Sequence, residues 1–442
     1  MLPEGPITLT GLLDAARNSG RALHGPLQSA ALCSPSGDFS ALRGRNVLLD
    51  VGEQFDAAQA LIGLDGTADR IVVCPPGLPA EHRDAIASKA EIDATVDDAS
   101  LPAFLALPAT RPSDAPARET EWLLLTSGTT GVPKLVSHTL RGLTGAIART
   151  APGDAPVWAT FYDIRRYGGL QIFLRAISGT GSMVLPGLDE PLGAVLHRYG
   201  ARGVTHISGT PSHWRRVLMN PAASAFSPLY VRLSGEIADQ AILDALQRQY
   251  PNAKIGHAYA STEAGVGFEV NDGKEGFPAS YVDDGVGAVA MKVVDDTLRI
   301  RSGRTASGYI GEPLALRDAD GFVDTGDIVA RRGDRYFFAG RRGGIINIGG
   351  QKVHPEEIEA VINRHQAVRM SLVKSRKNPI VGSVVAAEVV LAGEAGSDSD
   401  TIRKEIEASC REALASWKVP ATIRFVPSLA VTAAGKLTRS HA

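Results

Sequence analysis

Strand-like apolar runs alternate with helical patterns through the first half of the chain. Residues 46–51 (NVLLDV) are followed by EQFDAAQALIGL, in which apolar positions recur with helical spacing. Residues 70–76 (RIVVCPP) are followed in the same way by AEHRDAIASKA, and similar runs return near 182–187 and 203–218. Strands that alternate with helices predict a parallel sheet with crossover helices.

The pattern changes in the second half of the chain. Between residues 286 and 338 the apolar runs shorten (GAVAMKVVDD, TLRIRS, RYFFAG), which predicts antiparallel strands in a small barrel-like β subdomain. Beyond 340, the helical PEEIEAVINRH, the strand-like RMSLVKS and SVVAAEVVL, and a helix over 401–415 predict a separate α+β unit. We therefore predict an α/β protein with a large N-terminal domain (residues 1–340) and a small mobile C-terminal domain (residues 341–442), linked by the glycines of 340–344.

Composition and charge narrow the possible partners. The chain has 442 residues, of which 44% are hydrophobic and 21% charged, and its net charge of −2 gives no reason to expect nucleic acid. Residues 341–442 carry 15 Lys+Arg against 10 Asp+Glu, which either indicates an anionic partner or is a difference without meaning. Three scattered cysteines without metal spacing, and no apolar run of 18 residues, predict a reduced cytoplasmic protein without a membrane span.

One loop has the chemistry of a phosphate site. The strand-like WLLLT runs into SGTTGVPK, where Gly128 permits close backbone approach and Lys134 supplies a fixed cation. Hydroxyl donors come from Thr126, Ser127, Thr129 and Thr130. The spacing is not that of a Walker loop. The alternative interpretation is an ordinary polar turn after a strand.

Further segments supply acidic and basic groups. In HAYASTEAG, Glu263 beside Thr262 is a candidate Mg²⁺ ligand downstream of Tyr259, unless this is only a surface loop. In GFVDTGD, Asp327 is a candidate acceptor for ribose hydroxyls. Arg341 would lie at the domain junction. Lys436, in the closing GKLTR, would by default belong to a solvated tail.

Taken together and in this order, the five segments resemble those of the adenylate-forming superfamily of acyl-CoA synthetases, peptide-synthetase adenylation domains and luciferases. The resemblance covers residues 122–439. It implies that ATP activates a carboxylic acid as an acyl-adenylate with release of pyrophosphate. It also implies Mg²⁺, and transfer of the acyl group to a thiol of CoA or of a carrier-protein phosphopantetheine.

The resemblance also implies a role for each residue. The loop from Thr126 to Lys134 would hold the β- and γ-phosphates of ATP, with Tyr259 also at the ATP site. Thr262 would contact the α-phosphate, Glu263 would hold Mg²⁺ and Asp327 would bind the ribose. The catalytic group would comprise Lys436, Thr262, Glu263 and Arg341, with Lys436 reaching between the carboxylate and the α-phosphate.

Three features depart from the family pattern. Only 125 residues precede Thr126, so we expect an abbreviated N-terminal subdomain. Gly343 stands where the family usually has a hinge aspartate. In the predicted acid pocket, which includes Gly235, Arg166 occupies the place of a histidine or aspartate, and either binds an anionic or oxygen-rich acid or packs structurally on Tyr167.

The acceptor of the acyl group is left open. Free CoA would make the protein an acyl-CoA ligase, whereas a carrier protein or an amine would make it a biosynthetic adenylating enzyme. Lys374, Arg376 and Lys377 would meet either CoA phosphates or an acidic carrier-protein helix. A third hypothesis is a non-catalytic nucleotide-binding relative. Four charged residues that occur together argue against it, namely Lys134, Glu263, Asp327 and Lys436.

Overall fold

The structure is a computed structural model. It describes residues 8–14, 21–32, 37–107, 118–126, 132–147, 155–179, 181–312, 315–348, 351–378, 382–392, 399–431 and 436–437.

The helices of these ranges are α1 (Leu9–Asp14), α2 (Gln54–Leu64), α3 (Ala80–Lys89), α4 (Leu101–Ala106), α5 (Leu140–Thr144), α6 (Tyr167–Ser178), α7 (Leu192–Ala201), α8 (Pro211–Leu218), α9 (Gln240–Gln249), α10 (Ser280–Asp283), α11 (Pro355–Ile362) and α12 (Ser399–Ala413). The strands are β1 (Ala22–His24), β2 (Ser29–Ala31), β3 (Asn46–Asp50), β4 (Arg70–Val73), β5 (Ala94–Asp97), β6 (Glu121–Thr126), β7 (Lys134–Thr139), β8 (Val157–Thr160), β9 (Ser182–Val184), β10 (His206–Gly209), β11 (Tyr230–Ser234), β12 (Lys254–Ser261), β13 (Gly265–Val270), β14 (Phe277–Pro278), β15 (Ala290–Val294), β16 (Thr297–Arg301), β17 (Gly308–Ile310), β18 (Val323–Arg332), β19 (Arg335–Arg341), β20 (Ile346–Ile348), β21 (Gln351–Val353), β22 (Val368–Asn378), β23 (Gly382–Leu391) and β24 (Thr422–Phe425).

A six-stranded sheet, in the order β17-β7-β6-β4-β3-β5, contains the first predicted strands. The units β3-α2-β4 and β4-α3-β5 confirm the parallel crossover pattern, since β5, β3, β4 and β6 all run parallel. Val47 and Leu49 of β3 are fully buried on one face and Leu48 is buried on the other. Both faces are apolar because layers of the protein cover both of them.

An eight-stranded sheet, in the order β13-β12-β11-β10-β8-β9-β1-β2, lies alongside the first. Its strands from β12 to β1 are parallel, and β13 and β2 close the edges in antiparallel pairing. Helix α6 contributes Phe173 and Ile177 to a core that also contains Val73 of the first sheet and Met183 of the second. This helix therefore packs between the two sheets, while α7, α8 and α9 cover the other face of the larger one.

The predicted change to antiparallel strands is confirmed. The order β14-β19-β18-β16-β15 forms a five-stranded antiparallel sheet with its own apolar core, which includes Phe277, Leu298 and Val323. Its sharp turns and short strands are typical of a small β subdomain.

The last part of the chain forms a separate core. Strands β22, β23 and β24 make a three-stranded sheet next to the β20–β21 hairpin, and α11 and α12 supply Ile358 and Ile406 to the buried side. The α/β fold class with a small C-terminal α+β unit is thus confirmed, whereas the exact boundary at 340/341 remains a prediction. None of the helices that we describe is both long enough and apolar enough to traverse a lipid bilayer.

Candidate active site

The predicted phosphate loop joins two antiparallel strands. Thr126, the last residue of β6, pairs with Lys134, the first residue of β7. Lys134 Nζ lies 5.1 Å from the ring centre of Tyr309, which belongs to the neighbouring strand β17. Burial raises the pKa of Tyr309 to about 12, with further contributions from Glu263 and Glu312. Lys134 is therefore fixed at the mouth of the loop, while Ser127, Gly128, Thr129 and Thr130 lie outside the described residues.

The turn between β12 and β13 presents Thr262 and Glu263. The hairpin closes at the pair Ser261–Gly265, and the Glu263 carbonyl accepts the N–H of Ala306 at 3.0 Å. Gly265 has a φ of +75°, and a Cβ atom there would lie 2.3 Å from the Arg304 carbonyl oxygen. Only glycine suits that position, so the backbone itself fixes where Glu263 stands.

A carboxylate with two donors occupies the antiparallel sheet. Tyr259 Oη donates to Asp327 Oδ2 at 2.6 Å, and Arg341 Nε donates to Asp327 Oδ1 at 2.8 Å. The register of β18 and β19 places Asp327 directly opposite Arg341. Tyr259 also stacks on Phe338 at 5.4 Å between ring centres. These three polar side chains, Tyr259, Asp327 and Arg341, form what we call the nucleotide wall.

Charge and burial differ along the nucleotide wall. The Asp327 side chain is 15% exposed, whereas that of Arg341 is 63% exposed and thus open to a ligand. Burial, followed by the Asp327 carboxylate, raises the pKa of Tyr259 well above its usual value, so the phenol remains a hydrogen-bond donor. Burial alone would lower the pKa of Arg341, but Asp327, Tyr259 and Glu263 together raise it.

The terminal lysine lies beside Gly235, where the charges of the nucleotide wall act on it, and we call this region of the molecule the groove. A Cβ atom on Gly235 would lie 3.4 Å from Lys436 Cε and 3.9 Å from its Nζ, and Gly235 has a φ of +86°. Although part of Lys436 is open to solvent, the surrounding atoms desolvate its ammonium group. This desolvation and Arg341 lower the pKa of Lys436, while Glu236, Asp327 and Glu263 oppose the shift. The Lys436 side chain thus lies beside Gly235, and its role in the site remains a prediction.

The two arginines before α6 differ in their surroundings. Arg165 is buried, makes two 2.8 Å hydrogen bonds to the carboxylate of Asp163, and also donates to the carbonyls of Val51 and Gly52. Arg166 is the N-cap residue of α6, and its Nε is buried without a hydrogen-bond partner in the described structure. Burial lowers the pKa of Arg166. Arg165 is therefore the structural clamp, and both interpretations of Arg166 remain open.

Sequence reasoning did not identify several residues around Gly235. Tyr162 Oη donates to the carbonyl of Ser234 at 2.7 Å, and the His213 ring lies 5.9 Å from that of Tyr162 and 5.8 Å from that of Phe161. The sequence GTPSHW could have revealed His213, because a threonine before proline is a typical helix N-cap. We call Phe161, Tyr162, His213 and Gly235 together the Gly235 cluster.

The protonation of His213 follows from its contacts. The ring Nδ1 of His213 accepts the backbone N–H of Thr210 at 3.2 Å, and the backbone N–H of His213 donates to Thr210 Oγ1 at 3.0 Å. Burial, and then Arg216, lower the pKa of His213 to about 3. The ring is therefore neutral near pH 7 with its hydrogen on Nε2, which makes it a donor.

Comparison with known families gives two matches. A model of the AMP-binding enzyme family matches residues 48–312, and a model of the AMP-binding enzyme C-terminal domain matches residues 357–436. The mitochondrial acyl-coenzyme A synthetase ACSM2A of Homo sapiens is 27% identical over 355 residues, which are 73% of this chain and 61% of that protein. The chain thus spans 61% of the length of that relative. The 2-succinylbenzoate–CoA ligase of Salmonella typhimurium is 26% identical over 382 residues, covering 82% of this chain and 80% of the ligase.

Solved structures agree on the fold. The anthranilate CoA ligase AuaEII in complex with anthranoyl-AMP has a TM-score of 0.83 at 17% identity, with 99% of this chain and 96% of that chain covered. A benzoate CoA ligase from Burkholderia xenovorans LB400 has a TM-score of 0.79 at 19% identity, with 98% of each chain covered.

Proposed function

Because the chain belongs to the AMP-binding enzyme family, we propose that it condenses ATP with a carboxylic acid and then transfers the acyl group to a thiol. The products of the first step are an acyl-adenylate and pyrophosphate. The observation that carries this proposal is the position of Lys436, whose Nζ lies beside Gly235, where the charges of Arg341, Asp327 and Glu263 act on it. A protein that only binds a nucleotide has no evident need of a terminal lysine at that point.

Asp327 has the free capacity to bind a ribose. A carboxylate offers about four lone-pair positions, and Tyr259 and Arg341 use one at each oxygen. The remaining positions can accept both ribose hydroxyls. Because the two donors fix the carboxylate before the nucleotide arrives, little ordering is needed on binding.

The phosphates would lie between the β6–β7 loop and the β12–β13 turn. Lys134 would face the terminal phosphates and Thr262 the α-phosphate. Glu263 would hold Mg²⁺, which when bound neutralises phosphate charge. Among the described residues no group of three side chains could hold a metal ion alone. This fits Mg²⁺, which usually takes one or two carboxylates and completes its shell with water and phosphate oxygens.

In the first step, a carboxylate oxygen of the acid attacks the α-phosphorus and forms a P–O bond. The bond from the α-phosphorus to the bridging oxygen breaks, and pyrophosphate leaves with the electron pair. This reaction brings two anions together, so Lys436 and Arg341 would stabilise the charge that develops.

The second step requires a thiol to approach where Lys436 stood. We propose that the C-terminal domain swings at the turn Arg342–Gly344, where a Cβ atom on Gly343 or Gly344 would contact nothing. The thiol loses its proton to solvent and its sulfur attacks the acyl carbonyl. A C–S bond forms, the C–O bond to AMP breaks, and AMP leaves with the electron pair. Lys374, which pairs with Glu388 at 2.9 Å, and Arg376 both lie on β22 and would meet the anionic groups of CoA.

For the acid we propose an aromatic carboxylate. The Gly235 cluster contains the rings of Phe161, Tyr162 and His213. An acid that binds beside these rings would meet aromatic side chains, which favour a flat apolar ligand. The anthranilate, benzoate and 2-succinylbenzoate ligases named above act on acids of this kind. Arg166 Nε, which has no hydrogen-bond partner among the described residues, would offer a donor to a polar substituent on the ring.

The test is pyrophosphate release over a panel of acids. Benzoate, anthranilate, 2-succinylbenzoate and octanoate would each be assayed with ATP and Mg²⁺, alone and with CoA, a phosphopantetheinylated carrier protein or an amine. We expect release with an aromatic acid and thioester formation with CoA. If an acyl product forms only with the carrier protein or only with the amine, that compound and not CoA is the acceptor. AMP binding without release for any acid would overturn the proposal.

A further inference from the structure

We propose that Glu236 is a positioning residue, which holds the terminal segment so that Lys436 points into the groove during adenylate formation. The inference rests on the function proposed above for Lys436. Glu236 Oε1 accepts the N–H of Leu437 at 3.0 Å, and Glu236 Oε2 accepts the N–H of Ser212 at 2.9 Å. One carboxylate thus joins two backbone segments that are 225 residues apart. We call this pair of contacts the lysine latch.

The carboxylate is fixed before the terminal segment arrives. Ser212 lies in the first turn of α8, where backbone N–H groups lack partners inside the helix and carry partial positive charge. Thr210 and His213 cap the same turn. Glu236 is therefore held by its own lobe and presents its second oxygen as a preformed acceptor.

Fixing Leu437 fixes the lysine beside it. Consecutive Cα atoms are about 3.8 Å apart, so holding the N–H of Leu437 limits where the Lys436 backbone can lie. A lysine side chain loses rotamer entropy when it is ordered, and a restrained backbone reduces the number of conformations that the side chain can adopt. Val431 forms a β-bridge with Leu437, which ties the segment to its own lobe on the other side.

A second contact between the lobes has a different role. Arg215 of α8 donates to the carbonyl of Arg369 at 3.0 Å and to Asp239 at 2.6 Å. Asn363 of the C-terminal lobe donates to the same Asp239 carboxylate at 3.2 Å. These contacts hold the body of the lobe against α8, whereas the lysine latch holds only the segment that carries Lys436. The two can therefore be separated by mutation.

The geometry predicts a split between the half-reactions. Thioester formation needs Lys436 to leave, so a lost latch removes help from the first step alone. Glu236→Ala should lower kcat for pyrophosphate release by about 100-fold, the cost of misplacing a catalytic group by about 1 Å. Thioester formation from a preformed acyl-adenylate should stay within about threefold of wild type, because binding groups are untouched.

The chain offers two matched comparisons. Glu236→Gln keeps one acceptor oxygen, and should recover about tenfold of the rate lost in Glu236→Ala. Glu275→Ala removes another carboxylate that accepts a helix N-terminal N–H, that of Gln240 at 3.0 Å, and that pairs with Arg364 of the C-terminal lobe at 3.8 Å. The described contacts of the Glu275 carboxylate are with Gln240 and Arg364 and not with Leu437, so its removal should change pyrophosphate release by less than about threefold.

The experiment measures both half-reactions on the full chain, with thermal unfolding as a check on folding. A selective loss in Glu236→Ala, partial recovery in Glu236→Gln and little change in Glu275→Ala would support the latch. Equal loss in both half-reactions, or no loss in either, would overturn it, as would an equal effect of Glu275→Ala. If wild type itself releases no pyrophosphate, the proposed function fails instead, which is a distinct result.

Discussion

The two sides of the groove are built in different ways. On the nucleotide wall, Asp327 and Arg341 are neighbours in one antiparallel register, and Tyr259 reaches them from the adjoining sheet. On the opposite side, Lys436 is brought in by contacts of Leu437 with Glu236 across two lobes. The first arrangement is set by strand register, whereas the second would be lost if the C-terminal domain swings as proposed above. The nucleotide wall would therefore suit groups that both half-reactions need, and the contact across the lobes would suit a group that only one half-reaction needs.

Removal of Lys436 should have the largest effect on the difference between the two half-reactions. Lys436→Ala should lower pyrophosphate release by at least about 1,000-fold, because a full charge is lost at the reacting centre. Thioester formation from a preformed acyl-adenylate should change by less than about threefold. Separate kinetics of the two steps will show this. Equal losses in both would mean that Lys436 does not belong to the first step alone.

Glu263 should lie next in the order of effects. Glu263→Gln replaces a Mg²⁺ ligand by a neutral amide, and pyrophosphate release should fall by about 100-fold. The Mg²⁺ concentration for half-maximal rate should rise. A titration curve that coincides with that of wild type would exclude Glu263 as the ligand. Circular dichroism serves as the control for folding.

The proposed hinge at Gly343 offers another test of the difference between the two half-reactions. Gly343→Pro restricts one backbone torsion and removes no catalytic group, so it should slow one half-reaction by about tenfold through a smaller competent population. Gly343→Ala is the matched control, because a Cβ atom there meets nothing. Wild-type rates of both steps in Gly343→Pro would place the hinge, and the boundary at 340/341, elsewhere.

The smallest effect should come from the nucleotide wall. Tyr259→Phe removes one donor to Asp327, while Arg341 still holds the other oxygen. The stacking on Phe338 is retained. The dissociation constant for AMP, measured by calorimetry, should rise about fivefold, with similar changes in both half-reactions. A selective loss of pyrophosphate release would instead link Tyr259 to the lysine side.

Local pattern was sufficient for many of the described elements, whereas the roles of the site residues remain predictions. The alternating runs predicted β3, α2, β4 and α3, and the helical patterns predicted α11 and α12. Asp327 lies at a glycine turn that would be unremarkable alone, and the roles of Asp327 and Arg341 came from the family resemblance. The patterns of the elements depend on neighbouring residues in the sequence, which is the range over which periodicity and turn chemistry act.

The remainder depended on contacts between distant parts of the chain. The contact of Glu236 with Leu437 spans 201 positions, and that of Arg165 with Gly52 spans 113. No local pattern separates Arg165, a buried clamp, from Arg166 beside it. The pairing of β6 with β7 was also not predicted, because the run after the phosphate loop lacks the alternation of a half-buried strand.

The position of strand β17 in the sequence also affects the order of folding during synthesis. It pairs with β7, although about 170 residues separate the two, and it covers what would otherwise be an edge of the six-stranded sheet. A ribosome-bound chain that ends before residue 308 would leave β7 with unpaired backbone groups, which attract other strands. We therefore expect the edge at β7 to stay uncovered until most of the N-terminal domain has been synthesised. Fragments cut between β7 and β17 should accordingly aggregate rather than fold.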